Sequence, residues 1–67
     1  MKKYSLMEEY NQFAVDISTD LNKLVEEMAK MPGNCYIIDD DTYTVVCFTA
    51  LGKTVYVEAP KADDKRT

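Results

Sequence analysis

Few side chains in this sequence are equipped for chemistry. There are two cysteines, Cys35 and Cys47, and no histidine. Histidine is the commonest general base, so acid–base catalysis lacks its usual agent. No Ser or Cys has an evident base beside it in the sequence, as an activated nucleophile requires. Gly33 and Gly52 are the only glycines, which leaves no glycine-rich loop to hold phosphate. A structural zinc site takes four Cys or His ligands at close spacing, and two cysteines fall short of it. The run Asp39-Asp40-Asp41 has the hardness a divalent cation prefers. An EF-hand, however, also needs a glycine and a distant glutamate at set positions, and this sequence has neither there. The run reads as a solvated hairpin turn, and as an acidic knob that can dock against a basic patch. The pairs Glu8-Glu9 and Glu26-Glu27 read as solubilising charge. The chemistry-bearing residues thus point to no enzyme, no metal and no cofactor.

Contact chemistry remains. Tyrosine and phenylalanine are large and stiff, and such residues carry much of the energy of protein interfaces. Tyr36, Val46, Phe48 and Tyr56 fall in the β-rich second half of the chain. They are the candidates for an exposed sheet face, with Ile37 in place of Tyr36 under the other first-turn register. Tyr4, Met7 and Tyr10 lie early in the chain and form a second candidate contact group. The expected partner is another protein, or a second copy of this chain.

These residues must be positioned by a small number of elements. Composition changes once, at Met31-Pro32-Gly33-Asn34. Before it, Tyr10, Phe13, Ile17, Leu21, Leu24, Met28 and Met31 recur every three or four residues, which is the spacing of an apolar helical stripe. Pro32 disfavours helix at Met31 and cannot continue it. Poor helix formers at Ile17-Ser18-Thr19-Asp20 interrupt the pattern, and Ser18, Thr19 or Asp20 could cap a second helix. The spacing predicts one long N-terminal helix, bent near Thr19, with two helices over about 5–17 and 20–31 as the alternative.

After Gly33, β-branched and aromatic residues predict three strands: Asn34 to Asp39, Thr42 to Thr49 and Thr54 to Ala59. A three-residue turn with Gly52 in the left-handed region is expected between the last two. It would pair Cys47 with Val55 and Val45 with Val57, and put Val46, Phe48 and Tyr56 on the opposite face. A three-residue first turn would set Cys35 opposite Cys47 as small buried hydrophobes. The predicted fold is α+β, a helix on an antiparallel three-stranded meander (αβββ). It spans 1–60 as one domain, followed by a disordered polar tail over 61–67. One helix covers one sheet face, so the other is left for a partner. A straight helix of this length, about 39 Å, overhangs strands of about 20–27 Å. Tyr4, Met7 and Tyr10 would lie in the overhang.

The bulk numbers agree with a binding role. At 67 residues and 7.7 kDa the chain is near the lower size limit for folding alone, so association is the expected staple. The formal charge of −4 argues against direct nucleic-acid binding, which needs a basic face, and against an anionic membrane. No signal-like apolar stretch follows Met1-Lys2-Lys3, so a reducing cytoplasm with free thiols is expected. In size and acidity the chain resembles small accessory proteins of bacteriophages and mobile elements, anti-CRISPR inhibitors among them. Three functions follow: an inhibitor or adaptor that binds a protein, a self-assembling homodimer, and an acidic nucleic-acid mimic using Glu8, Glu9, Asp16, Asp20, Glu26 and Glu27.

Overall fold

The segment Tyr4-Ser5-Leu6-Met7-Glu8 is a strand with the adjacent Ser5 and Leu6 both buried, because it lies inside the sheet. A computed structural model describes residues 1–57 of the chain. In it β1 (Tyr4–Glu8) and β2 (Ala14–Ser18) form a hairpin, followed by α1 (Leu21–Ala29), β3 (Cys35–Asp39), β4 (Thr44–Ala50) and β5 (Lys53–Tyr56). All five strands join one antiparallel sheet in the order β2-β1-β3-β4-β5. The long N-terminal helix on a three-stranded meander is therefore corrected. Among the described residues only nine are in an α-helix, the sheet has two further strands, and the α+β label fits loosely. The expected tail over 61–67, and the end of the last strand at Ala59, lie outside the described residues. Among the described residues, no helix is long and apolar enough to cross a membrane.

The reason for the correction lies between β1 and β2. Asn11 donates its backbone N–H to the Glu8 carbonyl at 3.2 Å, and Tyr10 takes a left-handed φ of 70°. That reverses the chain where the apolar spacing predicted continuous helix. Tyr10 and Phe13, counted in the apolar stripe, are 98% and 77% exposed. The helix begins later, where Asp20 caps it. The Asp20 carboxylate accepts the N–H groups of Asn22 and Lys23 at 3.1 and 3.4 Å, two donors left without helical partners in the first turn.

The helix buries Leu24 and Met28 against Leu6, Cys35, Ile37 and Cys47, with Tyr4, Leu21, Val25, Met31 and Val46 at the margin. Both cysteines are free and buried. They do not stand opposite each other, as a three-residue first turn would have set them, because Cys47 pairs with Ile37. The β3–β4 loop holds four residues, Asp40 to Tyr43. It closes with Tyr43 at φ 57° and a 2.7 Å bond from its N–H to the Asp39 carbonyl.

The β4–β5 loop holds two residues rather than three. Leu51 and Gly52 have φ of 53° and 78°, the signature of a type I′ turn, whose twist matches the flanking strands. Phe48 therefore pairs with Val55, and Cys47 with Tyr56. This shifts the expected faces by one residue.

Candidate functional site

The helix covers one side of the sheet. On the other side, the pairing register aligns Ala14, Met7, Tyr36, Phe48 and Val55 in a row across all five strands. A second row, Ile17, Ser5, Ile38 and Val45, runs beside it across four strands. Directly paired residues stand about 4.5–5.5 Å apart at Cβ, so each row is continuous across its strands, with Ser5 the one polar side chain in the two. Ile17, Val45 and Val55 remain 53%, 39% and 40% exposed, while Met7, Tyr36, Ile38 and Phe48 shield one another to half-burial.

No side chain in either row is charged. The nine carboxylates among the described residues lie elsewhere. Glu8, Asp16 and Asp39 fall on the helix side by register, and the rest occupy α1, its cap or the loops. Charge touches the open face only at its rim. At one end Glu9 borders a shallow depression of about 310 Å³ that includes Tyr36, Phe48 and Ala50. At the other end Asp40 accepts a 2.8 Å hydrogen bond from the Ser5 hydroxyl. Lys53, opposite Ala50, marks a corner.

The structure brings Met7, Tyr36 and Phe48 together and separates the other expected contact residues from them. Val46 is the extra residue of a bulge opposite Ile37 and Ile38, and packs against the core. Tyr56 shares the helix side with Cys47 and is 60% exposed. Tyr4 also lies on the helix side, against the core. With the long helix gone there is no overhang, and Tyr10 stands alone at a loop tip. Sequence reasoning missed Ile17, Ile38, Val45 and Val55. Tyr4–Glu8 carries no clean period-two signal for the first hairpin, because Leu6 and Met7 are adjacent apolar residues.

The acidic run also comes apart. Asp39 is almost fully buried and bonds the Lys2 ammonium at 2.6 Å. Its other oxygen accepts the Asp41 backbone N–H at 2.9 Å. The Lys2 bond, followed by the Asp41 N–H, holds the Asp39 carboxyl below the usual carboxylate range. Asp40 turns to Ser5, and Asp41 is exposed. Among the described residues, no three of Asp, Glu, Cys and His are placed to hold a metal ion.

Family models, curated proteins and solved structures offer no match to this chain.

What the described residues can do is determined by shape and polarity. Burial, with Glu8 second, pushes the Cys35 thiol up, and burial alone raises Cys47. Both shifts oppose thiolate chemistry. On the helix side, Lys23 bridges Asp16 at 2.8 Å and Glu27 at 3.1 Å, tying α1 to β2.

Proposed function

We propose that this protein is a non-enzymatic binding module that docks another protein, as an inhibitor or adaptor, on the open face of its sheet. The observation that carries this is the uncharged row Met7, Tyr36, Phe48 and Val55 crossing the sheet on the side away from the helix. A chain with 30% charged residues that keeps this surface free of charge has placed its solubilising groups elsewhere. Apolar surface of this kind, framed by polar groups, marks interaction sites. Two buried, free thiols suit a reducing compartment, and we place the protein in the cytoplasm. The acidic-mimic alternative gains less support, because Lys23 draws Asp16 and Glu27 into ion pairs.

The test compares affinity capture by the wild type with capture by Phe48→Asp and by Tyr10→Asp. Tyr10 is equally aromatic but lies off the face. Phe48→Asp is expected to lose its specific partner while keeping the native circular dichroism spectrum. Tyr10→Asp is expected to keep both. Equal capture by all three proteins would overturn the assignment of the face.

A further inference from the structure

The two edges of the sheet differ in what they offer another strand. Edge strands expose unpaired N–H and C=O groups, and native proteins blunt them with bulges and charge. The β2 edge is blunted in both ways. A bulge interrupts its pairing at Leu6/Met7, and the Asp16 carboxylate takes the Ile17 backbone N–H at 2.8 Å. Lys23 then anchors that carboxylate from the helix. An incoming strand would find this donor occupied and a charged pair beside it.

The β5 edge is different. Its pairing with β4 has no register shift. In a two-residue hairpin the residues flanking the loop, Ala50 and Lys53, form a hydrogen-bonded pair. Such pairs then alternate along an antiparallel ladder. Lys53 and Val55 thus turn their backbone groups toward β4, and the bond from the Val57 N–H to the Val46 carbonyl at 2.9 Å continues the alternation. Thr54 and Tyr56 must turn theirs outward, and no described residue meets them. The strand's side chains favour pairing as well. Val55, Tyr56 and Val57 are 40%, 60% and 45% exposed, and β-branched and aromatic residues are those enriched in sheets.

We propose that β5 is a self-pairing edge, and that two copies of this chain join there antiparallel, about a two-fold axis through Val55. The occupant is a second copy because the strand is complementary to itself in that register. Thr54 meets Tyr56 of the second copy in hydrogen-bonded pairs on either side of the axis. Val55 meets Val55, and Lys53 meets Val57. No like charges are opposed, although the chain carries −4 overall, because no carboxylate occurs in Leu51–Val57. With the β2 edge blunted, each copy has one usable edge, so assembly closes at two instead of growing into a fibre. The result is one ten-stranded sheet whose two open faces run on into each other. The inference is independent of what docks on those faces. Four short-strand hydrogen bonds bury little surface, so the dimer belongs to the weak class, below about 1,200 Å².

Sedimentation equilibrium of the full chain tests this, at concentrations up to about 1 mM. The wild type is expected to show a concentration-dependent dimer. Thr54→Pro removes only the outward N–H, which proline tolerates on an edge, and is expected to stay monomeric with a native spectrum. Val55→Lys puts like charges face to face at the axis and is expected to weaken the dimer at least about tenfold at low salt. It provides an independent check should Thr54→Pro fail to fold. A wild type that is monomeric throughout, or a dimer that survives the substitutions that fold, would overturn the proposal. So would a dimer lost on Phe48→Asp yet kept by Val55→Lys.

Discussion

Three bulky residues, Tyr10, Tyr43 and Leu51, have a left-handed backbone, with φ of 70°, 57° and 53°. For a residue with a β-carbon this conformation costs roughly 1–2 kcal/mol, and all three sit at exposed loop tips where no packing repays it. Leu51 gives the cleanest measurement, because it is 98% exposed and Asn-Gly is the preferred pair for a type I′ turn. Leu51→Asn should stabilise the protein by about 1 kcal/mol and raise Tm by about 4–8 °C in a calorimetric scan. No gain would mean that Leu51 makes contacts its exposure does not suggest. Asp39 offers a second residue-scale test. Its carboxyl is held low by Lys2 and by the Asp41 N–H, so the folded state favours the ionised form. That contribution is fully present above the unfolded carboxylate pKa of about 3.9 and is lost as pH falls through the lower folded value. In urea titrations across pH, wild type should exceed Asp39→Asn in stability near neutrality, and the difference should shrink below about pH 4. A gap that stays constant down to the acid limit would show that the Lys2 pair is not its source.

At the scale of elements, the helix depends on its first turn. Asp20 supplies its side-chain cap, taking the N–H groups of Asn22 and Lys23. Ser18 in turn accepts the Asp20 N–H at 3.0 Å. Asp20→Ala should cost about 1 kcal/mol in chemical denaturation, whereas Asp20→Ser should recover most of it. Loss of equal size in both would assign the effect to something other than capping. The sequence offers this cap only as the alternative to one long bent helix: Ser18-Thr19-Asp20 stand out as poor helix formers inside a helical pattern, and they mark where the helix starts. The hairpin before them was not readable in the same way. Its reversal puts Tyr10 in the left-handed position, and its one turn residue, Asn11, whose side chain accepts the Phe13 N–H at 3.0 Å, is too weak a signal alone to break the apolar spacing. Over Tyr10, Phe13 and Ile17 that spacing fits a helix by count, yet two of the three residues lie outside β2 and all are exposed. The β4–β5 turn failed for the same reason. A positive φ at Leu51 is locally costly, but the twist match of a two-residue loop outweighs that cost and puts Tyr56 and Val55 each on the face opposite the one expected. β3 and β4 are recognisable from their β-branched and aromatic residues, but whether Tyr36 or Ile37 joins Phe48 depends on the first-turn register, which the structure fixes as Tyr36.

For the whole molecule, the central asymmetry is a sheet with one face under a helix and the other uncovered by any described residue. Ile37 and Ile38 measure it directly. They are adjacent, chemically identical, and on opposite faces of one central strand. Ile37 is 0% exposed and touches the helix residues of the core, so Ile37→Ala removes buried methyl groups and leaves a cavity. Its expected cost is about 2–5 kcal/mol, a large part of the stability a chain of this size can have. Ile38 stands between Ser5 and Val45 on the open face and is half-buried only by its neighbours in the row. Ile38→Ala should cost about 1 kcal/mol or less, since little area leaves contact and water can fill the gap. Equilibrium unfolding of the two variants separates two views of this face. A large difference means the open face contributes little to folding the isolated chain, and its apolar rows are available to bind. Equal, large losses would mean that Ile38 already has a cover, and the surface from Met7 to Val55 would then belong to the core of the fold.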